Sequence, residues 1–105
     1  MIETLNKEIS IFLNSIEGCS KESIDLINEK YTSSITDDLS NGHITSNVCM
    51  VAASILKLNP KELSEKLSNQ LNSLTLYENV EAAGPGFINI TLKRNDFLSI
   101  LQTIQ

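Results

Sequence analysis

Apolar positions along this chain switch between a helical period and a two-residue period, and each switch marks an element. Ile2, Leu5, Ile9, Phe12, Leu13 and Ile16 recur at the spacing of one helix face, with Glu3, Lys7 and Glu8 between them. That stripe predicts an amphipathic helix ending near Gly18. Ser20 then caps a shorter helix whose apolar positions are Ile24, Ile27 and Tyr31. Tyr31 to Ile35 is rich in β-forming residues and reads as a strand, although its alternation is poor. Asp37-Asp38-Leu39-Ser40-Asn41-Gly42 is turn chemistry and reads as a loop. Thr45, Ser46 or Asn47 caps a third helix with Val48, Val51, Ala52, Ile55 and Leu58 on its buried side. Asn59-Pro60-Lys61-Glu62 is the sharpest helix start in the chain. Asn caps, Pro takes the first helical position, and Glu takes the third, as in a capping box. Leu63, Leu67, Leu71 and Leu74 continue that helix.

From Val80 the period becomes two. Val80 to Ala83, a Gly84-Pro85-Gly86 corner, and Phe87 to Leu92 read as strand, tight turn, strand. Ile88, Ile90 and Leu92 fall on one face and belong to a core; Phe87, Asn89 and Thr91 fall on the other. A half-buried strand normally carries only polar residues on its outer face. Phe87 beside Asn89 is therefore a surface suited to stacking on a flat group and reading its edge, and the ring is expected to be substantially exposed. Asn95 caps a last helix bearing Phe97, Ile100, Leu101 and Ile104, and the pattern stops in mid-helix, as in a piece of something longer. Together these elements predict an α+β fold: a two-layer domain with a small antiparallel sheet of three or four strands and helices on one face.

At 105 residues the chain is read as one domain, 1–105, with no linker and no internal repeat. Its 41% apolar and 20% charged residues are ordinary globular composition. No apolar run approaches the roughly 20 residues of a membrane span, and the N-terminus has no signal-peptide character, so a cytoplasmic location is expected. The net charge of −5 and pI near 4.7 make the field of the whole domain repel phosphate. Any nucleic-acid contact must then be local. Cys19 and Cys49 read as two buried thiols.

Candidate chemistry narrows quickly. His43 and Cys49 lack a third group to orient them as base and nucleophile. Two cysteines and one histidine at these spacings match no zinc pattern. Gly84-Pro85-Gly86 opens a strand rather than a helix and is followed by no Lys-Ser/Thr, so it is no phosphate loop. Asp37-Asp38 reads as a solvated turn rather than a cation site. No catalytic residue, metal site or cofactor is expected in this segment.

Gly42-His43-Ile44-Thr45-Ser46-Asn47, the alanine-bearing helix after it, Asn59-Pro60-Lys61-Glu62-Leu63 and Glu81-Ala82-Ala83-Gly84-Pro85-Gly86-Phe87-Ile88-Asn89 come in a fixed order. Together they resemble the N-terminal additional domain of arginyl-tRNA synthetases, which are class I aminoacyl-tRNA synthetases. The resemblance implies a domain that precedes a catalytic domain in the same chain and packs on the elbow of tRNA at the D-loop. It implies no DNA and no membrane partner. The family's contacts, an aromatic and an amide two residues apart on a strand, match Phe87 and Asn89. Lys93 and Arg94 follow that strand, and Lys57 and Lys61 flank the helix junction; these four are the candidate phosphate contacts. The family's usual Asp after the loop glycine is His43 here. Its two ATP-site signatures, His-Ile-Gly-His and Lys-Met-Ser-Lys-Ser, are absent, so ATP with Mg is expected only in the parent enzyme. The other reading of the same surface is a small protein-interaction module that uses the Phe87 face to hold a partner chain.

Overall fold

A computed structural model describes residues 2–35, 43–96 and 98. In chain order they form α1 (Ile2–Ser15), α2 (Lys21–Lys30), β1 (Ser33–Ile35), β2 (Ile44–Ser46), α3 (Val48–Leu56), α4 (Pro60–Ser73), β3 (Asn79–Ala83) and β4 (Phe87–Thr91). The predicted turn from Asp37 to Gly42 and most of the predicted last helix, with Phe97, Ile100, Leu101 and Ile104, lie outside the described residues. Asn95 falls within helical residues 94–96 rather than before them.

The described strands make one antiparallel sheet in the order β1-β2-β4-β3. Its fourth strand, β2, occupies residues expected to cap a helix. Ile44 pairs with Ile90 and Ser46 with Ile88, while β1 lies on the other side. The sheet is two-faced because alternation is strict in β4. Ile88 and Ile90 are buried together with Ile44 and Val80, and helices cover that face. Val48, Cys49, Ala52 and Ala53 of α3 and Leu63, Leu67 and Leu71 of α4 complete the core. The small alanines let α3 come close. Leu5, Ile9, Phe12 and Leu13 of α1 and Ile24 and Ile27 of α2 close it from outside. No helix among the described residues is long and apolar enough to cross a membrane.

Helix boundaries follow the caps. The Ser20 hydroxyl accepts from the Ser23 N–H at 3.2 Å and starts α2. The Asn59 Oδ1 accepts from the N–H groups of Lys61 at 2.9 Å and Glu62 at 3.2 Å, with Pro60 at the first helical position. Glu62 itself stays exposed and, among the described residues, returns no bond to the cap, so this is half of a capping box. Lys57 adopts φ 58 and ends α3 one residue before Leu58, whose side chain is therefore exposed rather than buried as expected. Val51 and Ile55 are half-buried, and Tyr31 ends α2 with its hydroxyl donating to Asn6 Oδ1 at 3.1 Å. Of the two thiols, Cys49 is buried and Cys19 only partly so. Along the outer strand β3, the Asn72 amide of α4 donates to the Val80 carbonyl at 2.8 Å and accepts from the Val80 N–H at 2.9 Å.

Candidate functional site

The sheet face turned away from the helices carries Ser34, Thr45, Asn89 and Glu81 as one row across four strands, because these residues are cross-strand partners. Phe87 opposite Ala83 forms the next row toward the corner, and Thr91 opposite Asn79 the row on the far side, away from it. Directly opposed side chains sit about 4.5–5.5 Å apart at Cβ, and Phe87 and Asn89, two apart on β4, about 7 Å apart. The structure thus brings Phe87 and Asn89 to one face of a central strand.

Phe87 is half-buried rather than substantially exposed. Part of its ring is covered by the corner it follows, since a Cβ at Gly84 would stand 3.8 Å from Phe87 Cδ2. The corner itself is clamped. Gly86 accepts at its carbonyl from the Met50 N–H at 3.1 Å, in the first turn of α3. With φ +113 and only 2.7–2.8 Å between a would-be Cβ and the Met50 backbone, no other residue fits at Gly86. The turn that the sequence marks as a strand corner is also a helix cap, and it fixes where Phe87 begins.

Asn89 is oriented by its neighbour. The Thr45 hydroxyl donates to Asn89 Oδ1 at 3.1 Å, which leaves the amide NH₂ without a partner among the described residues. On the other side stands the exposed Glu81, whose Oε1 accepts from Asn79 Nδ2 at 2.9 Å. Sequence reasoning missed Thr45 and Glu81. Thr45 gave no signal, lying in a strand of three residues. Glu81 was legible in principle, because a three-residue corner between alternating strands sets which residues of the hairpin share a face.

Lys93 and Arg94 are exposed and follow β4 after the buried Leu92, with Arg94 already in helical residues 94–96. Lys93 is four residues past Asn89, about 13 Å along extended chain. Lys57, at the left-handed end of α3, and Lys61, in the first turn of α4, are exposed too but belong to the helical layer, on the side that Phe87 and Asn89 face away from. The structure does not bring these two lysines to the Phe87 face.

His43 takes an acceptor's part. Its Nδ1 accepts from the Leu92 N–H at 2.9 Å while its own N–H donates to the Ile90 carbonyl at 2.8 Å, tying the end of β4 to the start of β2. An imidazole nitrogen there accepts the kind of bond that a carboxylate oxygen would also accept. Cys49 lies in the first turn of α3, where a helix dipole favours thiolate. Burial wins and pushes the thiol up to about 12, so it is protonated at neutral pH and poorly nucleophilic. Among the described residues no group of three or more His, Cys, Asp and Glu is placed to hold a metal ion.

Comparison with known proteins gives the same direction. The family model described as "Arginyl tRNA synthetase N terminal domain" matches residues 3–92. The chain is 40% identical over 85 residues to an arginine–tRNA ligase of Bartonella tribocorum, covering 81% of this chain and 14% of that protein. It is 34% identical over 106 aligned positions to the arginine–tRNA ligase of Bartonella henselae, covering 99% of this chain and 18% of that protein. A ligase of Psychrobacter cryohalolentis is 38% identical over 69 residues, 66% of this chain and 11% of its own length. The chain spans less than a fifth of the length of the curated relatives it matches.

Proposed function

The chain belongs to the family of arginyl-tRNA synthetase N-terminal domains, and from that premise we propose that it is the tRNA-docking domain of a longer arginine–tRNA ligase. The observation that carries this reading is the shared face of Phe87 and Asn89 on the central strand β4, backed by a clamped corner and an oriented amide. That face takes the D-loop side of the tRNA elbow. An unstacked base lies on the exposed part of the Phe87 ring and presents its edge to Asn89. Stacking tolerates any base, so the amide supplies the preference.

The acidic domain needs its cations close to the contact. Lys93 and Arg94 hold the phosphates beside the stacked base. Lys57 and Lys61 meet phosphate only where the RNA wraps past the edge of the sheet. ATP, its Mg and arginine are handled by a catalytic domain elsewhere in the same cytoplasmic chain, and this segment contributes binding without chemistry. Because docking at the elbow is remote from the reacting atoms, its loss is felt in the use of tRNA, not of ATP or arginine.

The test is arginylation by the full-length ligase carrying Phe87→Ala. One lost stacking contact lowers kcat/KM for tRNA by about 1–3 kcal/mol, with the KM values for ATP and arginine little changed. Thermal unfolding run in parallel separates docking from folding, since the ring is half-buried. A folded Phe87→Ala enzyme with native tRNA kinetics would remove the site and leave the face to a protein partner.

A further inference from the structure

The outer edge of the sheet, along β3, is only half closed. Val80 turns its backbone N–H and carbonyl off the sheet, where the Asn72 amide of α4 meets both. Backbone direction repeats every two residues, so Ala82 turns its own N–H and carbonyl the same way, and among the described residues nothing meets them. The Ala82 side chain is on the helix side of the sheet with Val80, yet it is exposed where Val80 is buried. Helix α4 therefore covers the first half of β3 and leaves a groove of about 410 Å³ beside the second, lined by Glu65, Ser68, Asn69, Val80, Glu81 and Ala82. In that wall Ser68 is 5% exposed, and its hydroxyl oxygen is buried without a partner among the described residues. Ser15, Ser64 and Ser73 each donate to the carbonyl three residues earlier; Ser68 does not. A buried hydroxyl left unmet costs stability, and an open strand edge accepts another chain.

We propose that this groove holds a short, extended, basic segment of the same ligase chain, from outside these 105 residues. The proposal rests on the chain being one domain of a longer ligase, and it concerns a contact that the Phe87 face does not make. The segment donates an N–H to the Ala82 carbonyl and accepts from the Ala82 N–H, and one of its side chains meets the Ser68 hydroxyl. Asn72 on one side and the Gly84 corner on the other limit the pairing to this one residue. Charge settles the chemistry. The charged residues of the lining, Glu65 and Glu81, are both acidic, in a chain of net charge −5. They repel phosphate, and with it the RNA, as well as a second copy of this acidic chain; they attract lysine or arginine. Strength settles the source. Two backbone hydrogen bonds and a solvent-screened ion pair hold a free peptide at about millimolar concentration or above. A tethered segment is already present at an effective concentration on the order of millimolar. The chain spans less than a fifth of the relatives it matches, so most of a ligase is left to supply that segment. The contact ties the domain to the rest of the enzyme at the sheet edge and leaves the Phe87 face open.

The experiment is amide hydrogen exchange in the full-length ligase, read by mass spectrometry on fragments that resolve Ala82. In the native enzyme the Ala82 N–H should exchange about threefold or more slowly than in Glu65→Lys, whose cation repels the segment. The Val80 N–H, held by Asn72, is the internal control and should exchange alike in both. Glu65→Gln, which removes the charge without reversing it and suits an exposed helix position, should fall between the two. A photo-crosslinking side chain installed at Asn69 then identifies the occupant. Its product should join Asn69 to a lysine- or arginine-bearing segment of the same molecule, outside residues 1–105. Unprotected Ala82 in the native ligase, protection that both Glu65 variants retain, or a crosslink to tRNA, to a second copy or to another protein overturns the proposal. Each of these results leaves the effect of Phe87→Ala on tRNA use untouched. Conversely, a silent Phe87→Ala beside a protected Ala82 removes the docking site and keeps the groove.

Discussion

Two helices of this domain begin at an asparagine, and they begin in different ways. At the start of α4, Asn59 caps its own helix: Oδ1 accepts from the N–H groups two and three residues on. At the start of α3, Asn47 occupies the same position and makes no side-chain cap. Its Oδ1 accepts instead from the Thr32 N–H at 2.8 Å, beside β1, and its own N–H donates to the Thr32 carbonyl at 3.2 Å. The first turn of α3 is satisfied from elsewhere, by the Ser46 hydroxyl on the Val48 N–H at 3.3 Å and by the Gly86 carbonyl on the Met50 N–H at 3.1 Å. One start is a local device that four residues, Asn59 to Glu62, specify. The other is a junction where β1, β2, the hairpin corner and α3 are tied by the same few groups. The junction, and not the local cap, sets the position of Phe87.

The largest way to break this contrast is Gly86→Ala. A Cβ there meets the backbone of Met50 at 2.7–2.8 Å and sits on φ +113, so either the corner or α3 must move. Strain and overpacking together should cost about 3 kcal/mol or more in urea unfolding, and the displaced Phe87 should weaken tRNA use in any molecules that fold. Gly84→Ala is the control: its Cβ has ordinary contact at 3.8 Å, so only the φ +54 conformation is penalised, by about 1–2 kcal/mol. Equal losses for the two variants would mean that the corner is not clamped on α3.

A smaller effect sharpens the comparison of the two asparagines. Asn59→Ala should cost about 1 kcal/mol in thermal unfolding, and Asn59→Ser almost nothing, since a hydroxyl caps as well as an amide. Asn47→Ser should cost about 1 kcal/mol, because the shorter side chain stops short of the Thr32 N–H. A harmless Asn47→Ser would show that the start of α3 is capped locally after all.

A last effect is silent at neutral pH. With the Cys49 thiol held near 12 by burial and its unfolded value near 9.0, the unfolded chain loses that proton first as pH rises. Stability should therefore be unaffected below about pH 9 and fall between about 9 and 12, by an amount that disappears in Cys49→Ala. Iodoacetamide at pH 8 should modify Cys19 in the folded chain and reach Cys49 only on unfolding. Equal alkylation of both would place the first turn of α3 outside the core.

This contrast also explains what the sequence could and could not disclose. The amphipathic stripe of α1, the Ser20 and Asn59 caps and the alternation of β4 are all legible, because each is written within a few consecutive residues. The two faces of β4 follow directly, and with them the pairing of Phe87 and Asn89 on one side. β2 was not legible. Three residues are too few to show alternation, and Thr45 and Ser46 are ordinary cap residues; pairing with β4 on one side and β1 on the other makes Ile44–Ser46 a strand. Everything that depends on β2 was hidden with it, including the Thr45 bond to Asn89. Leu58 was misplaced for a related reason. Nothing in its spacing announces that Lys57 turns left-handed and ends the helix first. The half-burial of Phe87 was invisible because the cover comes from the corner, whose docking on α3 spans more than thirty residues of chain.

One bond pair has a bearing on how the protein behaves at high concentration. An outer strand offers unpaired backbone groups to any chain that arrives extended, and sheets grow edge to edge in that way. On β3 the Asn72 amide already fills one such place, answering the carbonyl and the N–H of Val80 as a neighbouring strand would. It is a side chain standing in for a strand, presented from a helix and therefore unable to propagate. A second molecule that approaches this rim finds the groups of Val80 taken, and among the described residues β1 at the opposite rim is three residues long. Crowded copies of the domain are thereby steered away from stacking into a continuous sheet.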